Sequence, residues 1–147
     1  MFAIEGGNPL FYVFISAVII CLGMSLKSLL LPTEKGERIS LEHLYWIITV
    51  YFIFLIGFGL LYVLMDLKFG SVIHLNGLPV MGGFFAKLAS SLYFSTMTLL
   101  SVGYGDMVPV GVGRWIASIE ALIGYALPAA FVVRTAIDFE NVKIDRN

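Results

Sequence analysis

The chain has 147 residues, 59% of them hydrophobic and 13% charged, with a mean hydropathy of +0.94. Soluble domains carry about a quarter charged residues, so these proportions exclude an ordinary soluble domain and point to a bilayer. A net charge of −1 offers no basic surface for nucleic acid, and the single Cys21 excludes an intrachain disulfide.

Leu10 to Leu31 is the first long apolar run, with Pro9 suited to a helix start and Pro32 to a stop. Met1 to Asn8 carries only Glu5 as a charge, unlike the basic start of a secretory signal. The run has no polar face for lying in the membrane plane, so it is expected to span. Thr33 to Glu42 forms a charged connection, and His43 to Met65 is a second span, with Tyr45 and Trp46 near one end as boundary aromatics. Asp66 to Gly83 breaks the pattern, with Asn76-Gly77, Pro79 and Gly82-Gly83 as turn signals.

Phe84 to Thr98 reads as a helix of roughly 20 Å, too short to cross a hydrocarbon core. Leu99 to Gly111 is punctuated by Gly and Pro, and Arg114 to Ile137 is the last span. Lys27, Lys35, Arg38, Arg134, Lys143 and Arg146 fall on one side, against Lys68, Lys87 and Arg114 on the other. The richer side is expected to be cytoplasmic, which puts the N-terminus outside and the C-terminus inside. No helix has a basic residue at every third position, as a voltage sensor would.

A short helix and a glycine-rich loop at membrane depth need a physical reason. Irregular backbone is tolerated there only when it is buried in protein or lines a watery path. The loop is Thr98-Leu99-Leu100-Ser101-Val102-Gly103-Tyr104-Gly105-Asp106, and its alternating glycines permit backbone conformations closed to other residues. Such a strip can turn successive carbonyls to one side, where they replace the water around a dehydrated cation.

Ser101 to Asp106 resembles the selectivity-filter signature of potassium channels, which usually begins with Thr. The resemblance runs from about Phe84 to Arg134. Tyr93-Phe94-Ser95 is similar to the aromatic end of the pore helix and Thr98 to its last turn. Pro109 and Arg114 match the approach to the inner helix, and Gly124 stands where the family has a hinge glycine. It implies an all-α membrane protein built as a tetrameric potassium-channel pore. In that plan an outer helix spans 43–66, a re-entrant pore helix 84–98, the filter 101–106 and the inner helix 112–137. An additional N-terminal transmembrane helix with its connection fills 1–42, and 138–147 is a short cytoplasmic tail.

The implied ion ligands are the carbonyls of Ser101, Val102, Gly103 and Tyr104 with the Ser101 hydroxyl. Potassium is the permeating ion rather than a cofactor, and no cofactor is expected. Gly105, Asp106, Tyr93, Thr98 and Glu120 are candidate supports of the filter. The implied partners are three further copies of the chain in a homotetramer, and the lipid bilayer of the cell membrane. The resemblance names no gating ligand.

Three departures bear on that expectation. Ser101 keeps the hydroxyl of the usual Thr without its methyl. Met97 stands where some relatives carry a Glu partnered to the filter Asp. Tyr93 replaces a frequent Trp and is expected to reach Asp106, while Phe94 leaves Tyr104 to find Thr98 or a neighbouring chain.

Glu120 lies deep in the last span, where a lone carboxylate costs roughly 2.5–3.5 kcal/mol on insertion scales. It is expected to bond the back of the pore helix through Ser95, Thr96 or Thr98. Gly124 is either a hinge or a site of close packing. Pro128 is expected to kink the inner helix and shape its mouth. The alternatives are a weakly selective cation channel on the same scaffold, or a potassium transporter or accessory subunit. The sequence shows no nucleophile–base set or metal-ligand cluster of the kind an enzyme requires.

Overall fold

A computed structural model describes residues 9–30 and 41–144. Four helices and three short strands follow in order: α1 Pro9–Leu30, α2 Leu41–Phe69, β1 Ile73–Leu75, β2 Leu78–Pro79, α3 Phe84–Leu99, β3 Met107–Pro109 and α4 Gly113–Ile144. Most of the expected charged connection, with Lys35 and Arg38, lies outside the described residues, as does Arg146.

Among the described residues, α2 holds the one stretch long and apolar enough to cross a membrane, Ile47–Phe69. Its mid-section sends Phe54, Phe58, Leu61 and Tyr62 into a core completed by Phe94 and Leu99 of α3 and Ala117 and Leu127 of α4. Two glycines let other helices approach α2 closely. A Cβ on Gly57 would fall 2.7 Å from the Leu22 side chain of α1. One on Gly59 would fall 2.6 Å from the Leu92 side chain of α3. Small residues at such crossings replace the absent hydrophobic drive between helices in lipid with close van der Waals contact.

α1 runs antiparallel to α2. Leu22 meets Gly57, and about three turns earlier in α1 and later in α2 Lys68 Nζ donates to the Tyr12 hydroxyl at 3.1 Å. The Lys68 ammonium also stands 4.4 Å from the Phe11 ring centroid and 4.5 Å from that of Tyr12. Rings of this kind attract a cation through their negative faces. The apolar part of α1 is Pro9–Ser25, about 25 Å of helix against roughly 30 Å of hydrocarbon.

The expected all-helical plan lacks one feature that the chain has, a small sheet of order β2-β1-β3. Asn76 and Gly77 have φ of 49° and 82°, the left-handed pair that a two-residue hairpin turn demands. β1 then pairs antiparallel with β3, Leu75 facing Met107 and Ile73 facing Pro109. The strands are too short for an alternating pattern to show in the sequence. The inner helix also continues to Ile144, past the expected end at 137. The apolar run stops there, but Asp138 to Ile144 contains no Gly or Pro to end the helix.

α3 is anchored at its start by Lys87, whose ammonium pairs with the Asp66 carboxylate near the end of α2. Asp66 is 9% exposed and also accepts the Val72 N–H at 3.3 Å. Lys87→Met should therefore lower stability by roughly 2–3 kcal/mol, because it leaves a buried carboxylate short of a donor. Adding Asp66→Asn should recover part of that loss. Thermal melting of the two variants checks this, and equal melting for both would contradict it.

Candidate functional site: the loop after the short helix

The loop is held to α3 by its own backbone. Ser101 N–H donates to Thr98 O at 3.0 Å, Val102 N–H to Met97 O at 2.9 Å and Gly103 N–H to Met97 O at 3.2 Å. Ser101, Gly103 and Gly105 have φ of 55°, 55° and 81°, so left-handed residues recur at every second position. In an ordinary strand successive carbonyls point to opposite edges of the strand. Changing handedness at alternate residues breaks that alternation and can bring carbonyls to a common side.

Residues 101–105 are all exposed, with Val102 at 51% and Tyr104 at 75%. Tyr104 is not bonded to Thr98, and its hydroxyl finds no partner among the described residues. Ser101 is the one residue of the strip that takes a left-handed φ without being glycine. A β-branched residue is a steric outlier in that region, so this backbone disfavours the Thr usual in the resembling signature.

At its far end the loop is fastened through Asp106. Its Oδ2 accepts the Tyr93 hydroxyl at 3.0 Å, its Oδ1 accepts the Met107 N–H at 3.0 Å, and its carbonyl accepts the Asn76 N–H at 2.8 Å. The hairpin and the short helix thus hold one residue from two sides.

Behind the short helix lies a buried polar cluster. Glu120 of α4, Ser95 of α3 and Tyr62 of α2 are each 0% exposed. The Tyr62 hydroxyl donates to Glu120 Oε2 at 2.6 Å, and Ser95 Oγ is hydrogen-bonded to Glu120 Oε1. Ser95 Oγ is also 3.0 Å from the Leu55 carbonyl, which only accepts. Ser95 has one hydroxyl proton for these two neighbours. Both contacts are satisfied when the Glu120 carboxyl carries a proton and donates it to Ser95 Oγ while Ser95 donates to Leu55. Thr96 is not a partner of Glu120; its hydroxyl bonds the Leu92 carbonyl within its own helix at 2.7 Å.

Tyr62 was missed by the sequence reading. Its ring packs edge-on against Phe94 at 5.1 Å, which aims the hydroxyl at Glu120. A tyrosine in the middle of an apolar span needs a partner for its O–H, and that was the available signal.

Gly124 is a close-packing position. A Cβ there would lie 2.0 Å from the Leu99 carbonyl oxygen, at the C-terminal end of α3.

Residues 87–141, from the start of α3 through most of α4, match the family described as ion channel. The protein LctB of Bacillus caldotenax is 39% identical over 131 residues, covering 88% of this chain and 98% of that protein. Protein LctB of Geobacillus stearothermophilus is 41% identical over 128 residues, covering 86% and 96%. This chain belongs to the LctB family. Within it, 87–141 is an ion-channel segment, and with the apolar α2 it marks a membrane protein. No solved structure matches the chain.

The polar cluster generates a prediction. Glu120→Gln keeps an acceptor for Tyr62 and supplies an amide N–H to Ser95, so melting and ion flux should stay close to those of the native chain. Glu120→Leu strands the Tyr62 hydroxyl and should cost about 1–3 kcal/mol. Paired melting and flux measurements decide. A Gln variant with collapsed flux and native melting would place the carboxylate in the ion path instead.

Proposed function

We propose that the chain is the pore subunit of a potassium-selective channel that conducts passively as a ring of four copies. The observation that carries this reading is the exposed strip 101–105, with left-handed backbone at 101, 103 and 105. One strip makes one wall, and a closed four-fold ring supplies the other three. In that ring the carbonyls of Ser101, Val102, Gly103 and Tyr104, with the Ser101 hydroxyl, coordinate dehydrated K+. Gly105, Asp106, Tyr93 and Thr98 brace the strip, and Glu120 fixes the helix behind it.

The exposed apolar side chains agree with copies packing around an axis. Trp115, Ile119, Leu122 and Tyr125 of α4 are 76%, 57%, 69% and 72% exposed. The C-terminal end of α3 carries the negative end of the helix dipole and favours a cation waiting beneath the strip. We place α1 as a third transmembrane helix on the outside of α2. On this reading the N-terminus is outside and the C-terminus cytoplasmic, following the Lys and Arg balance.

Purified chain in liposomes should pass K+ far faster than Na+, and chemical crosslinking should trap a four-membered species. Equal K+ and Na+ permeability would leave a weakly selective pore on the same scaffold, and conduction by a monomer would remove the ring. Ser101→Ala should remove a ligand from the cavity-side ion site and spare the carbonyl sites above it, since only the hydroxyl is lost. Calorimetric K+ titration should show that site weakened, and an unchanged titration would mean that the hydroxyl is not a ligand.

A further inference from the structure

In an α-helix the carbonyl of residue i accepts the N–H of residue i+4. Pro128 lies inside α4 and has no N–H, so the carbonyl it leaves without a donor is that of Gly124. The proline ring also crowds that same carbonyl and tips it away from the helix axis. The neighbouring side chains of Ala121, Ala126, Leu127 and Ala129 have no donor to offer it. Tyr125 has a hydroxyl, but its side chain is 72% exposed. The donor comes from α2: the Tyr51 hydroxyl reaches the Gly124 carbonyl at 3.1 Å.

Gly124 is engaged on a second side. Where a Cβ would stand 2.0 Å from Leu99 O, the glycine has only a hydrogen, set against the last carbonyl of the short helix. One residue therefore joins α2 through its carbonyl and α3 through its Cα, at the place where α4 loses a helical hydrogen bond.

We propose that Tyr51 is a positioning residue that latches α4 at Pro128 by supplying the hydrogen bond the proline withdraws. The latch fixes the inner-helix conformation from which the pore opens. Its gating consequence rests on the reading of the chain as a pore subunit. A hydroxyl is required, since a Phe at 51 fills nearly the same space and leaves the Gly124 carbonyl unpaired in an apolar setting.

The test is a double-mutant cycle on the full chain, because Pro128→Ala restores an N–H to residue 128 and lets α4 satisfy Gly124 by itself. In liposome recordings Tyr51→Phe should shift open probability about fivefold, the factor that matches a net hydrogen bond of about 1 kcal/mol. The shift should run in the same direction as that of Pro128→Ala and leave the ratio of K+ to Na+ permeability unchanged. In the Pro128→Ala background Tyr51→Phe should do nothing. Melting should follow the same pattern, a drop of about 3 °C in the native background and none in the other. No shift in the native background, or equal shifts in both, would overturn the latch, because lost packing does not depend on residue 128. If no variant passes current, the melting cycle alone decides the latch, and the silence counts against the pore reading.

Discussion

A carboxyl group in the middle of an apolar helix must find hydrogen-bond partners, and Glu120 finds one on each of two other helices. Tyr62 fixes it to α2 and Ser95 fixes it to α3. Those two bonds set how the short helix stands between the long ones. The loop 101–105 hangs from the end of that helix, so its position follows from the cluster behind it. A polar network at this depth specifies geometry well only when every member is satisfied. Here no buried side-chain polar atom among the described residues lacks a partner.

The loop is fastened at both ends and free in the middle. Backbone bonds to Met97 and Thr98 hold its start, and Asp106 holds its finish to Tyr93 and Asn76. Between them the side chains of Val102 and Tyr104 stand exposed. This division is the one that the proposed pore strip calls for. The hairpin strengthens the far anchor: β1 pairs with β3, and Val110 N–H donates to Val72 O at 2.9 Å.

Much of this was readable in advance because it rests on residue type at fixed spacing. Apolar runs bounded by Pro9 and by the turn cluster after Asp66 announced the long helices, and the alternating glycines announced an unusual loop. The cost of burying a carboxyl pointed Glu120 at the hydroxyls of the short helix, but Ser95, Thr96 and Thr98 were equally eligible, and the structure gives Ser95. What was not readable depended on helix rotation. Tyr62 and Tyr51 lie in an apolar span without a clear polar face, so nothing in their spacing says which way each hydroxyl points. The Asp66–Lys87 pair crosses a turn-rich segment whose path depends on a hairpin of a few residues. Gly124 could be read as hinge or packing until the Leu99 carbonyl was seen against it.

The buried acid also bears on how the protein is made. An acidic side chain at the centre of a single helix is costly to place in a bilayer, and the hydrogen-bond partners of Glu120 lie on helices other than α4. Its partners, Tyr62 and Ser95, are synthesised earlier in the chain. When α4 leaves the ribosome, α2 and α3 already offer the hydroxyls that offset the cost of the carboxyl. On the proposed reading, membrane integration of the last helix is thereby coupled to the folding of α2 and α3.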